Sequence, residues 1–283
     1  MGNLSKFDPT KHFARASTTP VPRIIARIAG EVGTGKTHFA LGAPGPILVQ
    51  TLDQGLEGVI EPYAQSKEIF VASYDMGLAP GDEVTQETAI AIQRKYTEDY
   101  EKAIASRYFR TILQDRETDF WSISVFADTG SEKVDAFGAA SGKDWTKIKA
   151  KIRRLYAMAK ATNINLLVTQ GMRNEWAKGP VNPRTGKATS TPTGNRLPEG
   201  MDDVDGQVNI CLDSSRVDIA NAPSQFFISV GKCRGVGARG VQGQTFEIVG
   251  PGVVDEDGNE RPEFGFVQFA ELVFPETSAE DWV

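Results

Sequence analysis

Cysteine, long apolar runs and excess positive charge are all scarce in this chain of 283 residues. The two cysteines, Cys211 and Cys233, are too few for a disulfide framework and lack metal-site spacing, so we expect reduced thiols in a cytoplasmic protein. No apolar run approaches the length of a membrane span, and the first residues lack the apolar region of a secretory signal. We therefore expect no membrane among its partners.

The net charge of −6 argues against a surface that is basic overall, as a general nucleic-acid coat would be. Its distribution is uneven. Residues 51–101 carry eleven Asp or Glu against three Lys or Arg, whereas residues 143–160 carry seven Lys or Arg against one Asp. This asymmetry is typical of one basic face on an acidic body and of a local polyanion site. A solvated helix face explains the basic segment equally well, and the sequence leaves both interpretations open.

The most specific pattern is a glycine-rich motif between a predicted buried strand, residues 22–29, and a predicted helix that stops at Gly42. It matches G-x-x-x-x-G-K-[ST] at every fixed position. Such glycines let backbone N–H groups surround a phosphate, the lysine supplies a charge for the β- and γ-phosphates, and the hydroxyl is a ligand for Mg²⁺. The sequence therefore predicts a site for ATP and Mg²⁺ formed by Gly30, Glu31, Val32, Gly33, Thr34, Gly35, Lys36, Thr37 and His38.

Three further predicted strands end in polar residues. The strand 46–50 leads to Asp53, the strand 109–115 ends at Asp115, and the strand 165–170 ends at Gln170. Open α/β sheets bind ligands at the carboxyl ends of their strands, where an Asp can order Mg²⁺. We expect Asp115 to share the metal with Thr37, although an Asp that caps a helix is the alternative.

Residues 171–200 are rich in Pro, Gly, Thr and Asn and show no regular period, so we predict a long functional loop without secondary structure. Trp176 is available there for base stacking, and the candidate DNA-binding cations are Arg173, Lys178, Arg184 and Lys187. Elsewhere we predict helices over 84–105 and 145–159, a loop over 128–144, strands over 205–212, 225–230 and 245–249, and a solvated acidic terminus over 275–283.

The order of these motifs resembles the RecA-like recombinase core over roughly residues 22–250. The resemblance implies an α/β fold, a P-loop NTPase core whose mostly parallel sheet carries helices on both faces. It divides the chain into a flexible arm (1–20), an ATPase core (21–250) and an extension with an acidic tail (251–283). Residues 108–121 resemble the corresponding region of small phage-encoded RecA-like ATPases, which include single-strand annealing proteins.

The resemblance also implies roles for individual residues. Asp53 takes the position that activates water, and Gln170 takes the position that senses the γ-phosphate before a DNA-binding loop. Glu117 is the reserve for the water-activating role, because it lies just past Asp115. Lys232 and Arg234 are similar to the pair that reaches the ATP of a neighbouring subunit. Since this sequence has Asp53 where the family has Glu, and Gln114 where it has an apolar residue, we expect slow hydrolysis.

We therefore expect a DNA-stimulated ATP hydrolase that binds single-stranded DNA and promotes annealing or strand exchange in phage-type recombination. Its expected partners are further copies of the chain, in a ring or filament with nucleotide at the subunit interfaces, and a single-strand-binding protein; its expected place is the host cytoplasm. A helicase, helicase loader or packaging motor would use the same ATP chemistry. A P-loop kinase or a nucleotide-bound scaffold is the alternative without nucleic acid.

Overall fold

The computed structural model describes residues 22–53, 55–74, 84–130, 142–181, 184, 188–220, 222–235, 237–251, 253–254 and 258–282. The predicted arm, residues 1–20, and most of the predicted loop 128–144 lie outside these ranges. The described chain is an α/β protein built on one large, mostly parallel sheet.

Eight strands form this sheet, in the spatial order β10-β9-β8-β1-β5-β4-β2-β3. The six strands from β8 to β3 run parallel to one another, while β9 pairs antiparallel with both β8 and β10. The strands are β1 (Ile25–Gly30), β2 (Ile47–Thr51), β3 (Ile69–Ser73), β4 (Thr111–Asp115), β5 (Asn165–Gln170), β8 (Ile210–Val217), β9 (Gln225–Cys233) and β10 (Thr245–Ile248).

Helices pack on both faces because the central strands are apolar on both sides. Every residue of β1, β2, β4 and β5 is buried, as expected for parallel strands that are covered twice. One core joins Ile28 to α1 and α8, and the other joins Ile25 to α3, α4 and α5. The helices are α1 (Lys36–Leu41), α2 (Glu61–Ala64), α3 (Gln86–Ser106), α4 (Glu117–Thr129), α5 (Gly142–Ala161), α6 (Val204–Gln207), α7 (Ala238–Val241) and α8 (Phe266–Val273).

The segment predicted as a structureless loop is instead a β-hairpin. Its strands β6 (Met172–Val181) and β7 (Ala188–Pro198) pair antiparallel, with register shifts at two places. The prediction failed because much of the hairpin is exposed, so its residues need not alternate between apolar and polar. The predicted strand 205–212 was also partly wrong, since α6 occupies its first residues before β8 begins.

The acidic terminus is mostly exposed, as predicted, but Trp282 is an exception and packs into the core. Trp282 lies in a short 3₁₀ helix (Ala279–Trp282) and is 1% exposed. Its ring lies 6.2 Å from that of Phe266 and 5.6 Å from that of Phe274, and its Nε1 donates to Thr277 Oγ1 at 2.9 Å. Trp282 therefore belongs to the core that covers α1.

We expect Trp282→Ala to lower the free energy of unfolding by about 3–5 kcal/mol, because it removes a large, fully buried aromatic side chain. Leu272→Ala is the matched control, since that side chain is 41% exposed on α8. Urea unfolding of the two variants measures the difference. Equal, small losses would mean that the terminus contributes nothing to the core.

Candidate functional site

A glycine-rich loop, residues 31–35, connects the end of β1 to the start of α1. Gly35 has φ 81°, a left-handed conformation that favours glycine, and α1 begins at the next residue. A Cβ on Gly30 would lie 2.2 Å from Ser214 Oγ, so only glycine lets β1 approach β8 here. Thr34 Oγ1 bonds the same Ser214 hydroxyl at 2.6 Å, which fixes the loop to the sheet.

Lys36 is the cation of this loop, and its amino group is turned back onto the loop itself. Its Nζ donates to the carbonyl oxygens of Gly30 at 2.9 Å and Glu31 at 2.7 Å. Burial lowers the pKa of Lys36, an effect that the charges of Asp115 and Glu31 oppose. Both bonds are to neutral carbonyl oxygens, and a phosphate would offer charged ones in their place.

Asp115, at the end of β4, joins three elements through one oxygen. Its Oδ1 accepts from Thr37 Oγ1 at 2.9 Å and from Thr169 Oγ1 at 2.8 Å, so α1 and β5 both bond it. Burial raises the pKa of this carboxyl, while the hydrogen bonds from Thr169 and Thr37 and the charge of Lys36 oppose the rise. The predicted neighbours Thr37 and Asp115 are therefore in direct contact.

Asp53 lies beyond β2, beside Asp115, but its carboxylate pairs with Arg116. The Arg116 Nη1 to Asp53 Oδ2 distance is 2.8 Å, and Arg116 Nε lies 2.9 Å from Asp119 Oδ2. Asp53 is 40% exposed in this pair. The sequence did not indicate Arg116 as a site residue, although it follows the strand-terminal Asp115 directly.

Glu117 and Gln170 form a buried pair below the site. Gln170 Nε2 donates to Glu117 Oε2 at 2.8 Å, and both side chains are at most 1% exposed. Burial raises the pKa of Glu117 to about 7, while hydrogen bonds from Gln170 and from the Met201 backbone oppose the rise. Glu117 is thus enclosed, whereas the side chain of Asp53 is 40% exposed.

A cavity of about 490 Å³, within the range of small-molecule sites, lies at the glycine-rich loop. It is lined by the glycine-rich loop together with Lys36, Thr37, His38, Asp53, Asp115, Arg116 and Thr169. Val32, at the tip of the loop, is 97% exposed, and His38 lies with its ring 6.0 Å from that of Tyr63. In the part of the chain that the structure describes, no three His, Cys, Asp or Glu side chains group to hold a metal ion by themselves.

The β6–β7 hairpin begins and ends beside this cavity. Its base is fastened by the Gly171 carbonyl, which accepts from Glu199 N at 2.9 Å, and by Thr118 Oγ1, which donates to the Glu199 carbonyl at 3.1 Å. Farther along, Arg196 Nη2 lies 2.7 Å from Glu31 Oε1. Arg196 therefore connects the hairpin to the glycine-rich loop, a contact that the sequence did not indicate.

The predicted DNA-binding cations fall on this hairpin where they are described. Arg173 and Arg184 are exposed, and Trp176 is 58% exposed on the same strand as Arg173. Lys178 lies on β6 opposite Ser190 in the register. Lys187 lies outside the described residues.

The basic helix α5, the competing polyanion candidate, has much of its charge compensated by neighbouring acids. Lys151 lies 2.6 Å from Asp128, and Arg154 lies 2.7 Å from Glu101. Lys149 and Arg153 likewise pair with Asp202 and Asp203. These pairs favour the interpretation of α5 as a solvated structural face.

Lys232 and Arg234 lie toward the opposite end of the strands from the cavity. Because β9 is antiparallel to β8, Lys232 pairs with Cys211, three residues before the Ser214 that pairs with Gly30. That is a shift of about 10 Å along the strand. Lys232 Nζ donates to the Val208 carbonyl at 2.8 Å, and Arg234 is exposed.

No protein-family model and no curated protein matches this chain. Among the described helices, none is both long and apolar enough to cross a membrane.

We expect the pKa of Glu117 to make stability depend on pH. Between the ordinary value of 4.5 and about 7 the folded protein keeps a proton that the unfolded chain releases, so this group's contribution to stability falls as pH rises. Glu117→Gln removes the titration, and its stability relative to wild type should rise by up to about 1.4 kcal/mol per pH unit over this window.

Urea unfolding across this pH range gives the comparison. Glu98→Gln, on the exposed side of α3, is the control for the loss of one glutamate side chain. A difference between Glu117→Gln and wild type that stays constant with pH would contradict the raised pKa.

Proposed function

We propose that this protein binds ATP with Mg²⁺ and hydrolyses it, as a RecA-like P-loop ATPase. The observation that carries the proposal is the meeting of the glycine-rich loop, Lys36, and the Thr37–Asp115 hydrogen bond in one cavity. The sheet is compatible with such a core: β5 lies between the loop-bearing strand β1 and the Asp-bearing strand β4. Loop N–H groups and Lys36 bind the phosphates, and the N-terminus of α1 adds positive potential.

Thr37 and Asp115 fit the needs of Mg²⁺. This ion takes one or two protein oxygens together with the phosphates of its nucleotide, and the two side chains present their oxygens within 2.9 Å of each other. A bound Mg²⁺ would neutralise phosphate charge. It would also favour the ionised form of Asp115, which burial alone disfavours.

Asp53 is the better candidate for the base that takes a proton from the attacking water. A general base must reach that water, and Asp53 lines the cavity whereas Glu117 is 0% exposed and paired with Gln170. Water then attacks the γ-phosphorus, the bond to the bridging oxygen breaks, and ADP and phosphate leave. Glu117 acts as a buried support for Gln170 and the hairpin base.

The second part of the proposal is that the β6–β7 hairpin binds single-stranded DNA for annealing or strand exchange. Exposed Arg173 and Arg184 supply charge for phosphates, and the exposed face of Trp176 supplies a stacking surface for bases. The Arg196–Glu31 ion pair connects this surface to the glycine-rich loop. DNA and nucleotide would thus act on neighbouring parts of one structure.

Assembly is the third part. Lys232 and Arg234 cannot reach the cavity of their own subunit from the far end of β9, so a catalytic role for them requires a neighbouring copy. Exposed Arg234 is the stronger candidate, because Lys232 already bonds backbone carbonyls. A head-to-tail contact of this kind closes as a ring or continues as a filament.

Lys36→Ala should weaken ATP binding by about a hundredfold or more and abolish hydrolysis, because it removes the cation that faces the β- and γ-phosphates. Lys102→Ala, an exposed lysine of α3, is the control. Calorimetry measures binding, and phosphate release with and without single-stranded DNA measures turnover. Wild-type hydrolysis in folded Lys36→Ala would refute the ATP site, and turnover indifferent to DNA would favour a kinase or scaffold.

The double variant Arg173→Ala and Arg184→Ala should show a weaker salt dependence of single-stranded DNA binding than wild type. The slope of log affinity against log salt falls by about one unit for each phosphate that the protein no longer neutralises. The matched control replaces Lys151 and Arg154 on α5, which also removes two cations and should leave the slope unchanged. The reverse pattern would move the DNA site to α5.

A further inference from the structure

Arg116 has a backbone conformation that its position does not require. Its φ is 57° and its ψ is 60°, and it is the residue before the first turn of α4. Residues at this place usually have extended backbone. Arg107, the other described non-glycine residue with positive φ, follows the end of α3, where that conformation is common. The strain at Arg116 therefore needs a separate explanation.

Hydrogen bonds hold this strained backbone against Asp115. The Arg116 N–H donates to Thr169 Oγ1 at 2.7 Å, and the same hydroxyl donates to Asp115 Oδ1 at 2.8 Å. The conformation turns the chain so that the Arg116 side chain lines the cavity that also contains Lys36 and Thr37. A cation is thus fixed next to the carboxylate that the ATP site uses.

The guanidinium is at present occupied by carboxylates of the protein. It lies 2.8 Å from Asp53 Oδ2 and 2.9 Å from Asp119 Oδ2, and it is 52% exposed. Ion pairs this exposed contribute little stability, so exchanging one of them for another anion is cheap. Planar guanidinium groups bind phosphate oxygens in the same forked geometry as carboxylate oxygens.

Lys36 and Arg116, the two cations that line the cavity, both bond oxygen atoms of the protein itself. Lys36 bonds the loop carbonyl oxygens, and Arg116 bonds Asp53 and Asp119. They are also close enough that the charge of Arg116 lowers the pKa of Lys36, after the larger effect of burial. Both cations line the cavity that the glycine-rich loop also lines, so a phosphate chain bound there would meet both charges.

We propose that Arg116 binds the terminal phosphate of the nucleotide from within the same subunit. The phosphate then replaces Asp53 as the partner of Arg116, which releases Asp53 from this ion pair. The proposal rests on the ATP site described above and adds a residue to it. Its consequence is that Asp53 Oδ2 can accept a hydrogen bond from a water molecule when a triphosphate is bound and stays paired with Arg116 when a diphosphate is bound. Arg116 would then distinguish the two nucleotides.

The first test measures binding of the β,γ-imido analogue of ATP and of ADP, each with Mg²⁺, by calorimetry. Arg116→Ala should weaken binding of the triphosphate analogue about ten- to a hundredfold while changing ADP binding by less than about twofold. Arg116→Gly accepts the positive φ without strain and should behave in the same way, which separates the charge from the backbone. Arg116→Lys should recover part of the loss.

Arg154→Ala is the matched control, since it removes an arginine that pairs with an acid outside the cavity. It should leave both affinities unchanged. If Arg116→Ala and Arg116→Gly weaken both nucleotides equally, or weaken neither, Arg116 does not bind the terminal phosphate.

The second test measures the exchange of partners. Asp53→Asn should raise affinity for the triphosphate analogue roughly threefold or more, because Arg116 loses a competing anion, and the gain should disappear when Arg116→Ala is also present. An equal gain in both backgrounds would mean that Asp53 merely repels phosphate, which overturns the exchange.

Failure of the ATP site itself gives a different result. In that case the wild-type protein binds neither nucleotide, and Lys36→Ala changes nothing. Wild-type binding of both nucleotides that is lost in Lys36→Ala, together with an unchanged Arg116→Ala, would keep the ATP site and refute the role of Arg116.

Discussion

The carboxylate of Asp115 accepts two hydroxyl hydrogen bonds inside the protein, and each comes from a different element. Thr37 belongs to α1 and Thr169 to β5, while Asp115 itself ends β4. Burying a carboxylate costs free energy unless it is hydrogen-bonded. These bonds therefore fix the positions of α1, β4 and β5 relative to one another. The glycine-rich loop, whose end is set by α1, and Arg116, whose N–H bonds Thr169, both take their positions from this contact.

The direction of the strands then decides which residues can cooperate. The carboxyl ends of the parallel strands β1, β2, β4 and β5 lie on the same side of the sheet, and the residues that follow them meet there. The antiparallel strand β9 runs the other way, so Phe226 near its start lines the cavity while Lys232 and Arg234 lie far from it. The order of motifs along the chain does not show that β9 runs in the opposite direction to the parallel strands.

Much of the fold and part of the site could be predicted from the sequence. Buried parallel strands are continuous apolar runs, and the predicted β5, residues 165–170, matches the structure in both bounds. The exposed edge strand β3 and the helix α8 were missed, because β3 is only partly buried and α8 follows a segment rich in Pro, Gly and acids. In the site, the contact of Thr37 with Asp115 followed from the motif, whereas the contacts of Arg116 and Arg196 depend on tertiary packing that no local pattern encodes.

Two contacts of different strength join the hairpin to the cavity: the hydrogen-bonded base of the hairpin and the Arg196–Glu31 ion pair. The base at Gly171 and Glu199 bonds α4 through Thr118 and lies over the buried Glu117–Gln170 pair, so displacing it would expose a buried carboxyl. The Arg196–Glu31 pair has both partners about half exposed, and such pairs contribute roughly 0–1 kcal/mol. The carbonyl oxygen of Glu31 also accepts a hydrogen bond from Lys36 Nζ, so this one residue contacts both Lys36 and Arg196. The base of the hairpin is therefore held by partly buried hydrogen bonds, whereas an exposed ion pair joins its arm to the glycine-rich loop.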